Sequence, residues 1–247
     1  MLQPVIIEDI ITIGANSVND NVIVSNPSLR RYLRSPFASR GRLVATQSAT
    51  GLRISMDYGA KNVVDNSDIR VGTDMQEPLD VINATWFPAE GDQLVLRASN
   101  TTGGALSLRY RIVLEPLAEA GTDPSTIDFP PDTRVTQRGP VSIASLAVDI
   151  QQFSGIRYER APNNSILRIL MSASATGLTR QLFVDMESIA PPSAVVPTNR
   201  VPQDPFDSTV SGVEVEKDRQ IELSITNPTG GAVNVFWRMV LEELSRT

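Results

Sequence analysis

The sequence predicts an all-β protein made of two tandem, duplicated β-sandwich domains. Three observations predict it. The chain matches itself at a long and nearly constant offset, apolar and polar residues alternate over short runs, and glycine and proline interrupt those runs at close intervals.

The self-match comes in ordered blocks. Residues 31–52 (RYLRSPFASRGRLVATQSATGL) align without a gap to 157–178 (RYERAPNNSILRILMSASATGL) at an offset of 126, with 11 of 22 positions identical. Residues 100–117 (NTTGGALSLRYRIVLEPL) align to 227–244 (NPTGGAVNVFWRMVLEEL) at an offset of 127, with 10 of 18 identical. Between them, Gln76-Glu-Pro-Leu-Asp80 answers Gln203-Asp-Pro-Phe-Asp207. Solenoid and propeller repeats run about 20–50 residues, so a period this long implies that each copy builds its own core. The alignment predicts a first domain over 1–117, a linker over 118–126 (AEAGTDPST) and a second domain over 127–247.

Within the first copy, strands are expected at 5–13, 21–25, 42–46, 52–57, 79–84, 93–98 and 105–114. In the second they are expected at 141–148, 167–172, 182–186, 213–216, 220–225 and 232–241. QLVLRA (93–98) and QIELSI (220–225) place apolar residues at every second position, as a half-buried strand requires. Each is followed by Asn-x-Thr-Gly-Gly and another strand, which predicts a closing hairpin. Helix is confined to a short turn near 28–34. Seven or eight strands per copy suit a β-sandwich or jelly roll.

Composition excludes several kinds of chemistry. The chain has no cysteine and no histidine, which removes disulfides, thiolate and imidazole metal ligands, and the commonest general base near neutral pH. A net charge of −6 offers no global attraction to nucleic acid or to an anionic membrane. No apolar run approaches the ~18 residues of a membrane span, and the acidic start MLQPVIIEDI is unlike a signal peptide. Lys61 and Lys217 are the only lysines; the other 20 basic residues are arginines, whose planar forks suit interfaces.

No motif names a reaction. A Ser–Lys nucleophile would need Lys61 or Lys217, and neither lies in S-x-x-K. Asp57 and Asp185 follow the SATGL block as candidate paired carboxylates, yet residues shared by two copies more naturally serve the fold. Asp65, Asn66, Ser67 and Asp68 offer closely spaced oxygens to a hard cation, but without an EF-hand's glycine and distal glutamate. The expectation is a protein with no enzymatic activity, no cofactor and no metal.

Contacts are therefore sought among arginines and aromatics. Arg30, Arg31, Arg34, Arg40 and Arg42 form one basic cluster; Arg31, Arg34 and Arg42 recur as Arg157, Arg160 and Arg168. Arg111 and Glu115, repeated as Arg238 and Glu242, are spaced to share one strand face and suggest an ion pair. Trp86, which is unmatched in the second copy, and Phe236 and Trp237, which answer Arg109 and Tyr110, are candidates for core packing or for interface anchors.

Two tandem β-sandwiches, carrying the repeated SATGL block and N-x-T-G-G-A followed by a strand ending V-L-E, resemble bacteriophage virion proteins: tandem jelly-roll capsid proteins and the cement or decoration proteins that clamp shells. The resemblance is architectural and carries no functional residue across. It implies a symmetric homo-oligomer, a trimer for preference, whose loops touch other capsid proteins in a virion assembled in the host cytoplasm. The alternative is a carbohydrate- or receptor-binding module of a tail fibre or cell-surface adhesin.

Overall fold

The computed structural model describes residues 2–19, 21–76, 81–119, 121–198 and 208–245, and the chain in it is all-β. It packs as two compact units, Met1–Val135 and Thr136–Ser245. The Gln76 and Gln203 blocks lie almost wholly outside the described residues.

In the first unit the strands are β1 (Val5–Ile13), β2 (Ser17–Asn19), β3 (Ser39–Gln47), β4 (Leu52–Tyr58), β5 (Lys61–Asp68), β6 (Arg70–Val71), β7 (Val81–Trp86), β8 (Leu94–Asn100) and β9 (Leu106–Pro116). They form two antiparallel arrays with orders β1-β9-β3-β7 and β2-β8-β4-β5, and the short β6 runs parallel to β3. Strict alternation positions the core. In β4 every second side chain, Leu52, Ile54, Met56 and Tyr58, is buried; in β8, Leu94, Leu96 and Ala98 are.

The next strand, β10 (Thr133–Ile143), begins in the first unit, where Thr133 stands opposite Thr85 and Val135 opposite Val64. The division after Val135 thus falls beyond the linker expected at 118–126. Asp132 accounts for the difference. Its carboxylate is fully buried and accepts hydrogen bonds from the Tyr58 hydroxyl (2.5 Å), Lys61 Nζ (2.9 Å) and the Phe87 N–H (3.1 Å). Arg134 adds a bond to the Asn62 carbonyl, 2.8 Å away.

The second unit continues with β11 (Ala147–Gln151), β12 (Ser165–Ala173), β13 (Thr179–Val184), β14 (Glu187–Ala194), β15 (Ser208–Val215), β16 (Ile221–Asn227) and β17 (Val233–Glu243). Its arrays run β10-β17-β12-β15 and β11-β16-β13-β14. Strand for strand, this is the order of the first unit. Its core gathers Leu167, Ile169, Met171, Leu223, Val235 and Trp237, and the Phe153 ring meets Trp237 edge-on at 4.9 Å.

Three expected elements differ. Where a strand is expected at 21–25, Val22–Ser25 form a 3-10 turn, because Asn21 Oδ1 accepts from the Ile23 N–H and Asn26 Oδ1 starts the next turn on Ser28. The strand expected at 141–148 is two strands, parted by a turn in which Leu146 takes φ +56°. The one expected at 182–186 stops at Val184, since Asp185 and Met186 both adopt positive φ and reverse the chain.

Candidate functional site

The two repeated motifs meet in space, once in each unit. Asn100 donates from Nδ2 to the carbonyls of Ile13 (3.2 Å), Gly14 (2.9 Å) and Gly104 (2.7 Å), and its Oδ1 accepts from the N–H and hydroxyl of Thr102. Asn227 makes the same set with Ile143 (3.1 Å), Ala144 (2.9 Å), Gly231 (2.9 Å) and Thr229. The glycine of each SATGL block, Gly51 or Gly177, sits at positive φ beneath that threonine; a Cβ there would come within 2.2 Å of Thr102 Cγ2 or 2.6 Å of Thr229 Cγ2. This joint between the ends of two arrays accounts for both motifs as scaffold.

Two of the three shared arginine pairs are scaffold too. Arg34 donates to the Gly91 carbonyl at 2.8 Å, and Arg160 to that of Asp218 at 3.0 Å. Arg42 pairs with Glu115 at 3.4 Å and Arg168 with Glu242 at 3.8 Å. The expected pairing of Arg111 with Glu115 is therefore replaced: Arg111 bonds Glu8 on the neighbouring strand, and Arg238 bonds Gln137. Of the basic cluster, Arg30, Arg31 and Arg40 are exposed; Arg30 holds the Val24 carbonyl and Arg31 lies 4.7 Å from the Tyr32 ring centre.

For the two tryptophans, core packing is the expected reading that holds. Trp86 and Trp237 are fully buried, so they serve the core and offer no ring to a partner. Phe236 is half-buried and packs over Gly139.

The candidate acids are engaged one by one. Asp57 is bound to Arg97 and Asn62. Asp185 is bound to Arg219 and to the Gln220 N–H, and the hydrogen bond from Arg219 is the main reason its carboxyl titrates below the usual range. Asp65, Asn66, Ser67 and Asp68 lie on β5; Asp68 pairs with Arg53 at 2.9 Å and Ser67 is buried. Among the described residues no group of three acids could hold a metal ion.

Surface features remain. Strand β1, at the end of its array, exposes Ile6 (58%) and Ile10 (54%); β11, likewise at an end, exposes Val148 (65%) and Ile150 (41%). A polar groove also crosses the outer face of β11-β16-β13. Sequence reading missed it, because its residues come from three separate stretches of chain. Among the described residues no helix is long and apolar enough to cross a membrane.

No family model matches the chain, and no curated protein does. Among solved structures it is similar to an IolB-like protein from Salmonella typhimurium LT2, with 12% identity and a TM-score of 0.28 over 98% of this chain and 85% of that one. It is also similar to the infectious bursal disease virus VP2 subviral particle, with 12% identity and a TM-score of 0.22 over 85% of this chain and 58% of that one. The Gx strain of the same virus gives 14% identity and a TM-score of 0.22 over 84% and 58%. Likenesses this weak decide neither family nor function.

Proposed function

We propose that the protein is a non-enzymatic structural subunit of a virus particle, either a capsid protein or a cement protein that stabilises one, built from two duplicated jelly-roll domains. Eight principal strands in two four-stranded arrays, with the same order in both units, suit a jelly roll, an architecture common among capsid domains but not confined to them. The observation that carries the assembly reading is the exposure of aliphatic side chains on end strands β1 and β11. A protein that works alone blunts such edges with lysine, proline or inward charges. Here β1 carries charge in Glu8 and Asp9 and β11 in Asp149, yet Ile6, Ile10, Val148 and Ile150 stay exposed beside them, which suits burial against further copies of the chain. The motif residues shared by the two units serve turns and strand ends, so the duplication supplies a rigid frame rather than a doubled active site.

Native mass spectrometry and sedimentation of the full chain test this reading. A discrete oligomer that dissociates on Ile6→Lys with Ile10→Lys, and protein that co-sediments with particles, are expected. A chain that stays monomeric at high concentration and is absent from particles overturns it.

A further inference from the structure

The outer face of the second unit's array β11-β16-β13-β14 carries a continuous groove. Two depressions, of about 190 and 240 Å³, adjoin each other through Gln151 and Glu222, and the first also reaches the core side chains Phe153 and Ile221. Register builds the trough. Gln151 of β11 and Gln181 of β13 both stand opposite Ser224 of β16, while Phe183 stands opposite Glu222. An amide–hydroxyl–amide row thus lies beside a carboxylate–aromatic row, while the alternate residues Leu182, Ile221, Leu223 and Ile225 point into the core. Met186, 84% exposed in its left-handed turn, borders the trough.

The first unit has the same scaffold and a different face. Equivalent register positions place Arg97 where Ser224 stands, Asp57 where Phe183 stands and Arg53 where Thr179 stands. There Arg97 pairs with Asp57, and Arg53 pairs with Asp68, so that face is closed by its own ion pairs. The fold therefore does not require the open groove.

The lining specifies a ligand class. No arginine or lysine lines either depression, which disfavours an anionic ligand. Asp149 already accepts from the Ser224 and Thr226 hydroxyls (3.1 and 3.3 Å), and Glu159 accepts from the Gly155 N–H, so two of the three acids are engaged. The side chains of Gln151 and Glu222 make no hydrogen bond or ion pair among the described residues. Amide and carboxylate groups of this kind match the paired hydroxyls of a sugar, and a ring such as Phe183 matches its C–H face. An open trough of two joined depressions suits a chain of linked units better than a single enclosed molecule. The geometry points to a binding site for a neutral oligosaccharide on this face, independent of whether the protein assembles into particles.

Saturation-transfer NMR of the full chain tests it, with cello-, malto-, manno- and xylo-oligosaccharides as neutral probes and an oligogalacturonide and an oligolysine peptide as charged ones. At least one neutral probe is expected to bind, with affinity reduced tenfold or more by Gln151→Ala or Phe183→Ala and unchanged by Ser99→Ala on the first unit's equivalent face. Thermal unfolding of each variant reports its fold, and the exposed position of Gln151 keeps one informative variant if Phe183→Ala unfolds. Binding of none of the neutral probes, binding of a charged probe alone, or neutral binding that survives Gln151→Ala in a folded protein overturns the assignment.

Discussion

The indole of Trp86 occupies the space where a side chain on Gly41 would stand: a Cβ there would lie 2.2 Å from Cε2 and Nε1 of the ring. Gly41 is opposite Trp86 in the pairing of β3 with β7, and at the same register in the second unit Leu167 is opposite Val213. One copy fills the site with nothing and a tryptophan, the other with two aliphatic residues of intermediate size. Trp86→Val alone should cost about 3 kcal/mol by leaving a cavity, and Gly41→Leu alone should cost about as much through overpacking. The double variant should recover at least about 1 kcal/mol relative to their sum. Denaturant unfolding of the four proteins measures this; strictly additive losses would mean that the two positions do not share the space.

The asparagine joint predicts equal sensitivity in both copies. Asn100→Ala removes the donor to three carbonyls and the acceptor for Thr102 in a site only 2% exposed, and should destabilise by about 3 kcal/mol. Asn227→Ala should cost a similar amount. Asn100→Asp should be at least as damaging, because an acceptor would then face carbonyl oxygens. Equilibrium unfolding in urea distinguishes these outcomes from the small loss expected at an exposed asparagine.

These cases also mark how far the sequence could be read. Strand β1 begins and ends where alternation predicts, and the motifs around Asn100 and Asn227 are visible as repeats because a joint built from local turns leaves a local signature. Strand β5 escaped because its pairing with β4 shifts register twice, so Asn62, Val63 and Val64 are buried in succession and period two is lost. Strand β14 contains Pro191 and Pro192, which only an end strand tolerates. Residues four apart on a strand lie roughly 13 Å from each other, so Arg111 cannot reach Glu115 and finds Glu8 across the pairing instead. The groove was illegible for a related reason: Gln151, Gln181 and Ser224 become neighbours only through the order β11-β16-β13.

Asp132 ties the start of β10 to the first unit through one buried carboxylate. Asp132→Ala would remove the ion pair of Lys61 and the carboxylate that accepts from the Tyr58 hydroxyl and the Phe87 N–H, and should destabilise by about 3–5 kcal/mol. Asp132→Asn keeps an acceptor for the Phe87 N–H and should cost less. Thermal unfolding with both variants in parallel checks the order; equal stability of Asp132→Ala and the parent would show that the carboxylate contributes nothing net.

Tyr110 gives stability a dependence on alkaline pH. Its ring is fully buried and its hydroxyl has no hydrogen-bond partner among the described residues; burial first, and then the nearby Asp9 carboxylate, hold its ionisation well above the ordinary phenol range. The folded state therefore keeps the proton that the unfolded chain gives up near pH 10. Below that pH the group contributes no slope. As pH rises through and beyond it, ionisation favours the unfolded chain, and stability should fall by up to about 1.4 kcal/mol per pH unit from this residue. Tyr110→Phe should remove that component of the slope. It should also raise stability at neutral pH by about 1 kcal/mol, because the buried hydroxyl loses its hydration without gaining a bond. Unfolding free energies of parent and variant from pH 7 to 11 provide the check, since Tyr58 and the other titrating groups are common to both and cancel in the difference. A difference that stays flat across the range would show that the Tyr110 hydroxyl reaches water in the folded protein.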